Sequence, residues 1–340
     1  MSIRRNSAVF CTLVFLVTNI INPVHAAPQQ KLSFKNPGFD EVVFVTRKLA
    51  EDGHWYANFG YFASDENHKC HSEGGSLCVY DFRKKSLTVL FSDDRGSYRD
   101  PQLHYDGERI IFSHRKGGED AFHLYETDIR GSFLRQITDG PDSDIEPCYL
   151  PDGDIMFVSS RCDRWVNCWA TQVAVLYRCK MDGSGITQLS ANIEHDNTPW
   201  LMNDGRIMYT RWEYVDRSQV HFHHLWAMNP DGTKQAVLFG NQHTSVPGSC
   251  LLIDSKPIPG TQDIVTVFSP GHGRREHAGH LARISLKNGP DEKHELTFIW
   301  EGKKNEYIYD PFPLSEDLYI ASTGEHMALI TGEGKKKNIF

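Results

Sequence analysis

One pattern recurs down this chain and limits its fold more than any other feature. An acidic residue and a proline precede Asp-Gly, a β-branched strand follows, and a polar turn leads to a second strand. It runs from Asp100-Pro101 through Asp106-Gly107 to Ile110-Ile111-Phe112, and from Glu146-Pro147 through Asp152-Gly153 to Ile155-Met156-Phe157. It returns from Asp196 and Pro199 through Asp204-Gly205 to Ile207-Met208-Tyr209. Asp106 to Asp152 is a step of 46 residues, and Asp152 to Asp204 one of 52. Short-stranded units of roughly 40–50 residues cannot bury their faces alone, so they stack around an axis. The expectation is an all-β chain forming a six-bladed β-propeller of four-stranded antiparallel blades, over about 40–98, 100–139, 146–190, 196–240, 247–299 and 306–340.

The repeated residues read as structure. Asp-Gly and the turn Asn229-Pro-Asp-Gly-Thr233 supply the positive φ that tight hairpins need. The fifth blade replaces Asp-Gly with Pro259-Gly260 ahead of Asp263-Ile-Val-Thr-Val-Phe268, and the sixth starts at Asp310-Pro311. The acidic residue before each proline is expected to accept backbone hydrogen bonds where the chain enters a blade. The sixth blade would be completed by residues 31–34, or else the end of the chain, 335–340, is itself a strand and the natural product continues.

Arg4-Arg5, the apolar run from Ala8 to Ile21 and the small residues Ala26-Ala27 form a signal-peptide pattern over 1–27, leaving 28–340 as a single domain. The mature protein is therefore expected to be exported, periplasmic or secreted. No later stretch reaches the roughly 20 apolar residues of a membrane helix. A net charge of −8, with Lys and Arg scattered, disfavours nucleic acid as a partner. Of the eight cysteines, seven lie beyond the leader, in a compartment where disulfides persist. Cys70 and Cys78 flank a Gly-Gly turn and Cys162 and Cys168 a short polar loop, which makes both pairs disulfide candidates. Cys148 and Cys179 read as small buried apolar residues.

Function should sit where the repeat is broken, because propeller loops vary freely while strands do not. Four departures follow the strand after each Asp-Gly or its equivalent, and so should share one face of the ring. They are the insertion 50–75, the loop 160–165, the run 210–217 with His221, His223 and His224, and Gly271-His272-Gly273-Arg274-Arg275 followed by His277 and His280. The candidate ligand-binding residues are His54, Trp55, Tyr56, Arg161, Arg211, Trp212, Glu213, Asp216 and His272. For Arg211 the structural alternative is pairing with Glu213 while Trp212 packs between blades; the functional one is an anion clamp. Seventeen histidines make a divalent transition metal a candidate cofactor, with His54, Cys70, His71, His223 and His272 as ligands, although their spacing matches no zinc motif. The bland alternative is surface or hydrogen-bonded histidine. No residue pattern assigns a catalytic role: there is no Gly-x-Ser-x-Gly elbow, phosphate loop or Cys-x-x-Cys-His haem-attachment site.

The repeat resembles the TolB-type six-bladed propellers. Within that group, Asp144-Ile-Glu-Pro147 to Arg161, Tyr209-Thr-Arg-Trp-Glu-Tyr-Val-Asp216, Met228-Asn-Pro-Asp-Gly-Thr233, Pro257-Ile-Pro-Gly260 and Gly271-His-Gly273 resemble the propeller domain of hydrazine synthase alpha-subunit-like proteins. The resemblance covers nearly all of 28–340. It implies the fold, and its founding enzyme joins nitric oxide and ammonia on c-type haems within a multi-subunit complex. This chain departs from that pattern in having no haem-attachment motif. The expected function is thus an exported propeller that binds a partner protein or small ligand on its loop-rich face. A metal- or haem-assisted oxidoreductase subunit is the alternative, and a carbohydrate- or peptide-processing enzyme has no paired carboxylates to support it.

Overall fold

The computed structural model describes residues 9–16, 32–57, 59–62, 64–240, 250–289 and 295–339. Its described residues hold no α-helix; they form strands and one 3₁₀ turn at Arg275–His277. The first sheet contains β1 (Val9–Leu16) and β2 (Glu41–Lys48); after a small hairpin of β3 (Tyr61–Phe62) and β4 (Asp65–Lys69) it continues with β5 (Gly75–Asp81) and β6 (Ser86–Asp93). The second holds β7 (Ser97–Leu103), β8 (Arg109–Arg115), β9 (His123–Asp128) and β10 (Arg135–Gln136). The third holds β11 (Asp144–Tyr149), β12 (Ile155–Ser159), β13 (Val175–Cys179) and β14 (Thr187–Gln188). An eight-stranded sheet follows, made of two antiparallel meanders joined by one parallel pair, His223 with Leu251. Its first meander is β15 (Asp196–Leu201), β16 (Ile207–Trp212), β17 (His223–Met228) and β18 (Ala236–Phe239). Its second is β19 (Cys250–Pro257), β20 (Ile264–Pro270), β21 (His280–Ile284) and β22 (Leu296–Trp300). The last sheet is β23 (Tyr309–Ser315), β24 (Leu318–Ser322), β25 (Met327–Thr331) and β26 (Lys336–Asn338).

Apolar faces join each meander to the next. Val45 and Leu77 of the first sheet meet Ile110 and Phe112 of the second, and Ile145 and Met156 of the third meet Ile207 and Tyr209. Phe44 and Cys78 of the first sheet meet Leu318 and Ile320 of the last. The first strands lie side by side: β1 against β7 and β23, β7 against β11, then β11 against β15, β15 against β19 and β19 against β23. The final sheet takes its fourth strand from Lys336–Asn338, paired with β25. Residues 32–34 therefore do not complete it, and residue 31 lies outside the described residues. Ser33 and Asn36 instead bridge each other across a turn, and Leu32 and Phe34 pack beside Phe39. The cleavage position expected at Ala26 or Ala27 lies outside the described residues.

The recurring acid–proline step has a specific geometry. Each of β7, β11, β15, β19 and β23 carries a bulge, and the bulged residue has positive φ: Asp100 52°, Glu146 53°, Thr198 50°, Asp254 52° and Asp310 45°. A non-glycine residue held there costs on the order of 1–3 kcal/mol. Hydrogen bonds from one bulge to the next offset that strain. The Glu146 N–H donates to Asp100 Oδ2 (3.1 Å), the Thr198 N–H to Glu146 Oε2 (2.5 Å), and the Asp254 N–H to Thr198 Oγ1 (3.4 Å). Of the acidic residues ahead of a proline, Asp100 and Glu146 thus accept a backbone hydrogen bond from the following meander, whereas Asp310 accepts none among the described residues.

Charged partners fill the same axial region. Buried Arg99 donates to Asp100 Oδ2 (2.6 Å) and to Glu146 Oε1 (3.4 Å). His277 Nδ1 lies 3.2 Å from Asp254, and Lys256 Nζ donates to the Asp254 carbonyl (3.3 Å). A cavity of about 60 Å3 lies among these groups and Asp310. Burial, with Asp100 beside it, lifts Glu146 to about 7; burial, with Asp254 beside it, lifts Asp310 to about 7. Burial opposes protonation of His277, yet the Asp254 carboxylate, its hydrogen bond and Glu146 outweigh it and raise His277 to about 9.

Two expectations follow for stability. Glu146→Ala strands the Thr198 N–H and should cost about 1–3 kcal/mol in urea denaturation, whereas Glu146→Gln keeps an acceptor and should recover most of that. His277 binds its proton more tightly folded than unfolded, so its contribution is complete below pH 6.5 and is lost as pH rises through about 9. Wild-type stability should fall across that window by up to about 3 kcal/mol, and His277→Gln should flatten the curve.

Candidate functional site

The four departures from the repeat do meet on one side of the axial network. Each connects the second strand of a meander to the third. The insertion after β2 folds inward: the Glu51 N–H donates to the Cys70 carbonyl (2.8 Å) and the Cys70 N–H to the Gly60 carbonyl (2.9 Å). Its base is fixed by Glu276, which accepts from the Ala50 N–H (2.6 Å) and from Arg47 (2.5 Å). Two glycines allow the close approach. A Cβ at Gly60 would lie 1.7 Å from Thr171 Oγ1, and one at Gly273, where φ is +94°, would lie 2.7 Å from the Trp55 ring.

Consequently Trp55 and Tyr56 form a plug, each only 2% exposed, rather than an open aromatic rim. The Trp55 ring lies 5.8 Å from His195 and 6.0 Å from each of Trp212, His223 and His277. Tyr56 lies 4.8 Å from Trp212 and 5.7 Å from His272. Trp212 stacks on His223 at 5.4 Å, while its indole N–H donates to the Gln219 carbonyl (3.1 Å). His54 sits at the partly open edge, 4.0 Å from the Trp169 ring, with Nδ1 on Asp52 (2.7 Å).

Several polar atoms in this chamber are buried without a hydrogen-bond partner among the described residues. They are both ring nitrogens of His223, His272 Nδ1, His195 Nε2 and Glu194 Oε2. His195 Nδ1 accepts the Ala174 N–H (3.2 Å), which places its proton on Nε2, facing no partner. His272 hydrogen-bonds the Gln219 carbonyl, leaving Nδ1 as a lone pair. Burial holds all three histidines neutral: His195 falls to about 3, His272 to about 4 with His54 contributing, and His223 well below its ordinary value with His272 contributing. Burial also raises Glu194 to about 7. The chamber therefore presents neutral donors and acceptors between aromatic faces, without a fixed charge at neutral pH from these histidines.

The remaining candidate residues lie elsewhere. Arg211 makes a bidentate pair with Asp196 (2.8 and 2.9 Å), bonds Gln235 (3.1 Å) and covers the Trp226 ring at 4.6 Å, so its guanidinium is already engaged. Its carboxylate partner is Asp196, not Glu213, which pairs with Arg217 (3.3 Å). Arg161 grips Asp144 in the same way (3.1 and 2.6 Å), and Asp216 is exposed at a turn with φ 56°. Of the five metal-ligand candidates, His223 and His272 come together, their rings 4.8 Å apart, with His54 nearby. His71 lines a separate outer pocket with Lys48, Glu51 and Glu73, and Cys70 is buried within the insertion. Among the described residues no group of three or more His, Cys, Asp or Glu is arranged to hold a metal ion.

All seven cysteines beyond residue 30 are free thiols in the structure, so neither expected disulfide is formed. Cys70 packs with Trp55 and Tyr56, whereas Cys78 faces Phe44 and Leu318 in a different part of the core. Cys162 turns inward, with Sγ on the Val173 carbonyl (3.4 Å), while exposed Cys168 hydrogen-bonds Tyr56. His223 and His224 belong to β17 instead of a loop. Sequence reasoning passed over His195 and Glu194, although both directly precede Asp196 of the repeat and Glu-His-Asp has no counterpart at Ser143-Asp144.

No protein-family model matches the chain. It is 24% identical over 342 residues to hydrazine synthase subunit alpha of Kuenenia stuttgartiensis, an alignment spanning 84% of this chain and 40% of that protein. Among solved structures, Kuenenia stuttgartiensis hydrazine synthase superposes with a TM-score of 0.70 at 20% identity, over 88% of this chain and 45% of that one. TolB from Acinetobacter baumannii superposes with a TM-score of 0.54 at 13% identity, over 77% of this chain and 58% of that one. The chain thus spans less than half the length of the hydrazine synthase alpha subunit it matches, and it resembles that subunit and the TolB-type propellers in fold.

Proposed function

We propose that the meanders are the blades of a six-bladed propeller, that the protein is exported, and that it binds a small, uncharged polar ligand in the histidine–aromatic chamber. The observation that carries this reading is the set of orphaned polar atoms on His223, His272, His195 and Glu194, held between Trp55, Tyr56 and Trp212. Buried polar groups in native proteins almost always have partners, so a cluster without them indicates a place where a ligand or ordered water supplies the missing bonds. The His195 Nε2–H would donate, and the His272 Nδ1 lone pair would accept. The TolB likeness supports the export reading, as does the leader pattern at 1–27. No described helix is long and apolar enough to cross a membrane.

One observation favours a second reading, a metal- or haem-assisted oxidoreductase subunit. His272 gives its proton to a backbone carbonyl and turns a lone pair inward beside His223, the orientation a metal-ligating histidine adopts. Two imidazoles leave most of a coordination sphere to a ligand or partner. A metal there would polarise that ligand, and Trp212 and Tyr56 would keep bulk water out.

A single preparation tests both readings. Protein expressed with its own N-terminus and taken from the export compartment should have lost the leader, carry a small molecule by native mass spectrometry, and contain no stoichiometric metal or haem by elemental analysis and absorption. His223→Leu should abolish that bound mass while leaving apo stability unchanged or raised by about 1–3 kcal/mol, since two unsatisfied polar atoms are removed. An empty wild-type chamber together with a strongly destabilised variant overturns the ligand reading, and one equivalent of metal or haem selects the second.

A further inference from the structure

The innermost position of the first sheet is unlike the other five. Each of the other meanders supplies its own first strand, directly ahead of its second, and that strand carries the bulge with positive φ. By that order, the first strand of the first sheet should immediately precede β2. Residues 32–40 hold no strand, however; they make the Ser33–Asn36 turn and pack Leu32, Phe34 and Phe39 against the last sheet. The position is taken instead by Val9–Leu16, eight residues paired with β2 from Val9–Lys48 to Leu16–Glu41 and lying against β7 and β23.

Two features mark this strand as a substitute. It is the apolar core of the leader pattern, between Arg4-Arg5 and Ala26-Ala27, and would leave with it. It also contains no residue-proline step. Asp100, Glu146 and Thr198 each accept the backbone N–H of the next inner strand; Asp254 pairs with His277 instead, and Asp310, whose next neighbour is β1, accepts no backbone N–H among the described residues. The flanking walls are apolar and buried, with Val43 and Val45 of β2 beside Tyr98, and an open strand edge of this kind is a template for another strand.

We propose that the exported protein carries, between β2, β7 and β23, a docking slot for one extended strand donated by a partner polypeptide. The occupant runs antiparallel to β2 for about eight residues, is predominantly apolar as the sequence Val9–Leu16 is, and has an acidic or threonine residue followed by proline near its centre, whose N–H reaches Asp310. A strand of that kind extends the chain of bulges to the sixth position. The inference rests on the export reading, since only removal of residues 1–27 empties the slot.

The test is hydrogen exchange, followed by mass spectrometry, on β2 peptides covering 41–48 in protein exported with its own leader. Its intact mass reports whether 1–27 is gone. The probe is a synthetic peptide of residues 9–16 flanked by lysines for solubility, compared with a scrambled peptide of the same composition. In the cleaved protein, the β2 amides facing the slot should exchange freely, and the peptide but not its scramble should slow them at least about tenfold. A version of the peptide with Glu-Pro near its centre should protect them further, and Asp310→Ala should remove that extra gain alone. Cleaved protein whose β2 is already protected without peptide, or in which the peptide gives no protection, overturns the slot while leaving export intact. An intact mass that retains 1–27 overturns both, because the slot is then the protein's own first strand.

Discussion

The hydrogen bonds between successive bulges are the constraint on which the rest of the structure depends. At Glu146 one residue does two jobs: its N–H donates to Asp100 of the preceding meander, and its carboxylate accepts the Thr198 N–H of the next. Thr198 repeats the arrangement with a hydroxyl in place of a carboxylate. A positive φ at a residue with a side chain is unfavourable alone, but it aims both groups along the circle of inner strands, so local strain is exchanged for contacts between sheets. Apolar faces hold neighbouring meanders together; this polar relay sets how their inner ends are aligned.

Placing carboxylates close together on an axis creates an electrostatic problem, and its solution shapes the neighbouring site. Arg99, Lys256 and protonated His277 balance Asp100, Glu146 and Asp254, while burial lifts Glu146, with Asp100 beside it, and Asp310, with Asp254 beside it, toward neutrality. His277 also lies 6.0 Å from the Trp55 ring, so the charged axis gives way within one residue to an aromatic chamber. Glu276, beside it, is held down to about 2 despite burial, by Arg47 and by the hydrogen bonds from Arg47 and Ala50. That anchor ties the insertion to the axis. Polarity therefore grades from ion pairs on the axis to neutral imidazoles under the plug.

Much of the framework was legible because turns and bulges leave local signatures. Asp-Gly, residue-proline and Ile-x-Phe steps occur where backbone geometry demands them, and the acceptor role expected of Asp100 and Glu146 is what the structure displays. The loops bearing His54, Arg161 and His272 were also recognisable as departures from the repeat, and they do converge. Side-chain roles were far less legible. The sequence offers Arg211 either Glu213 or an anionic ligand as its partner, yet Asp196, fifteen residues upstream, is its cross-strand neighbour and accepts from both Nε and Nη2. Cys70 and Cys78 look close enough to bond, but they face different parts of the core. In sequence His71 is a metal-ligand candidate together with His54, His223 and His272, and it lines a separate outer pocket beyond the hairpin of β3 and β4.

By itself, the sequence determined the all-β character, the succession of meanders and the residues that turn the chain, because those depend on φ preferences and on alternation within a few positions. Only the tertiary structure decided which polar side chains are already satisfied and which are stranded. It brought His195, His223 and His272 beneath Trp55 and Tyr56 from three separate loops and strands, and it showed the first sheet borrowing its inner strand from Val9–Leu16. Hydrogen-bond satisfaction is a property of packed neighbours 20 to 200 residues apart on the order of whole meanders, and no local pattern encodes it.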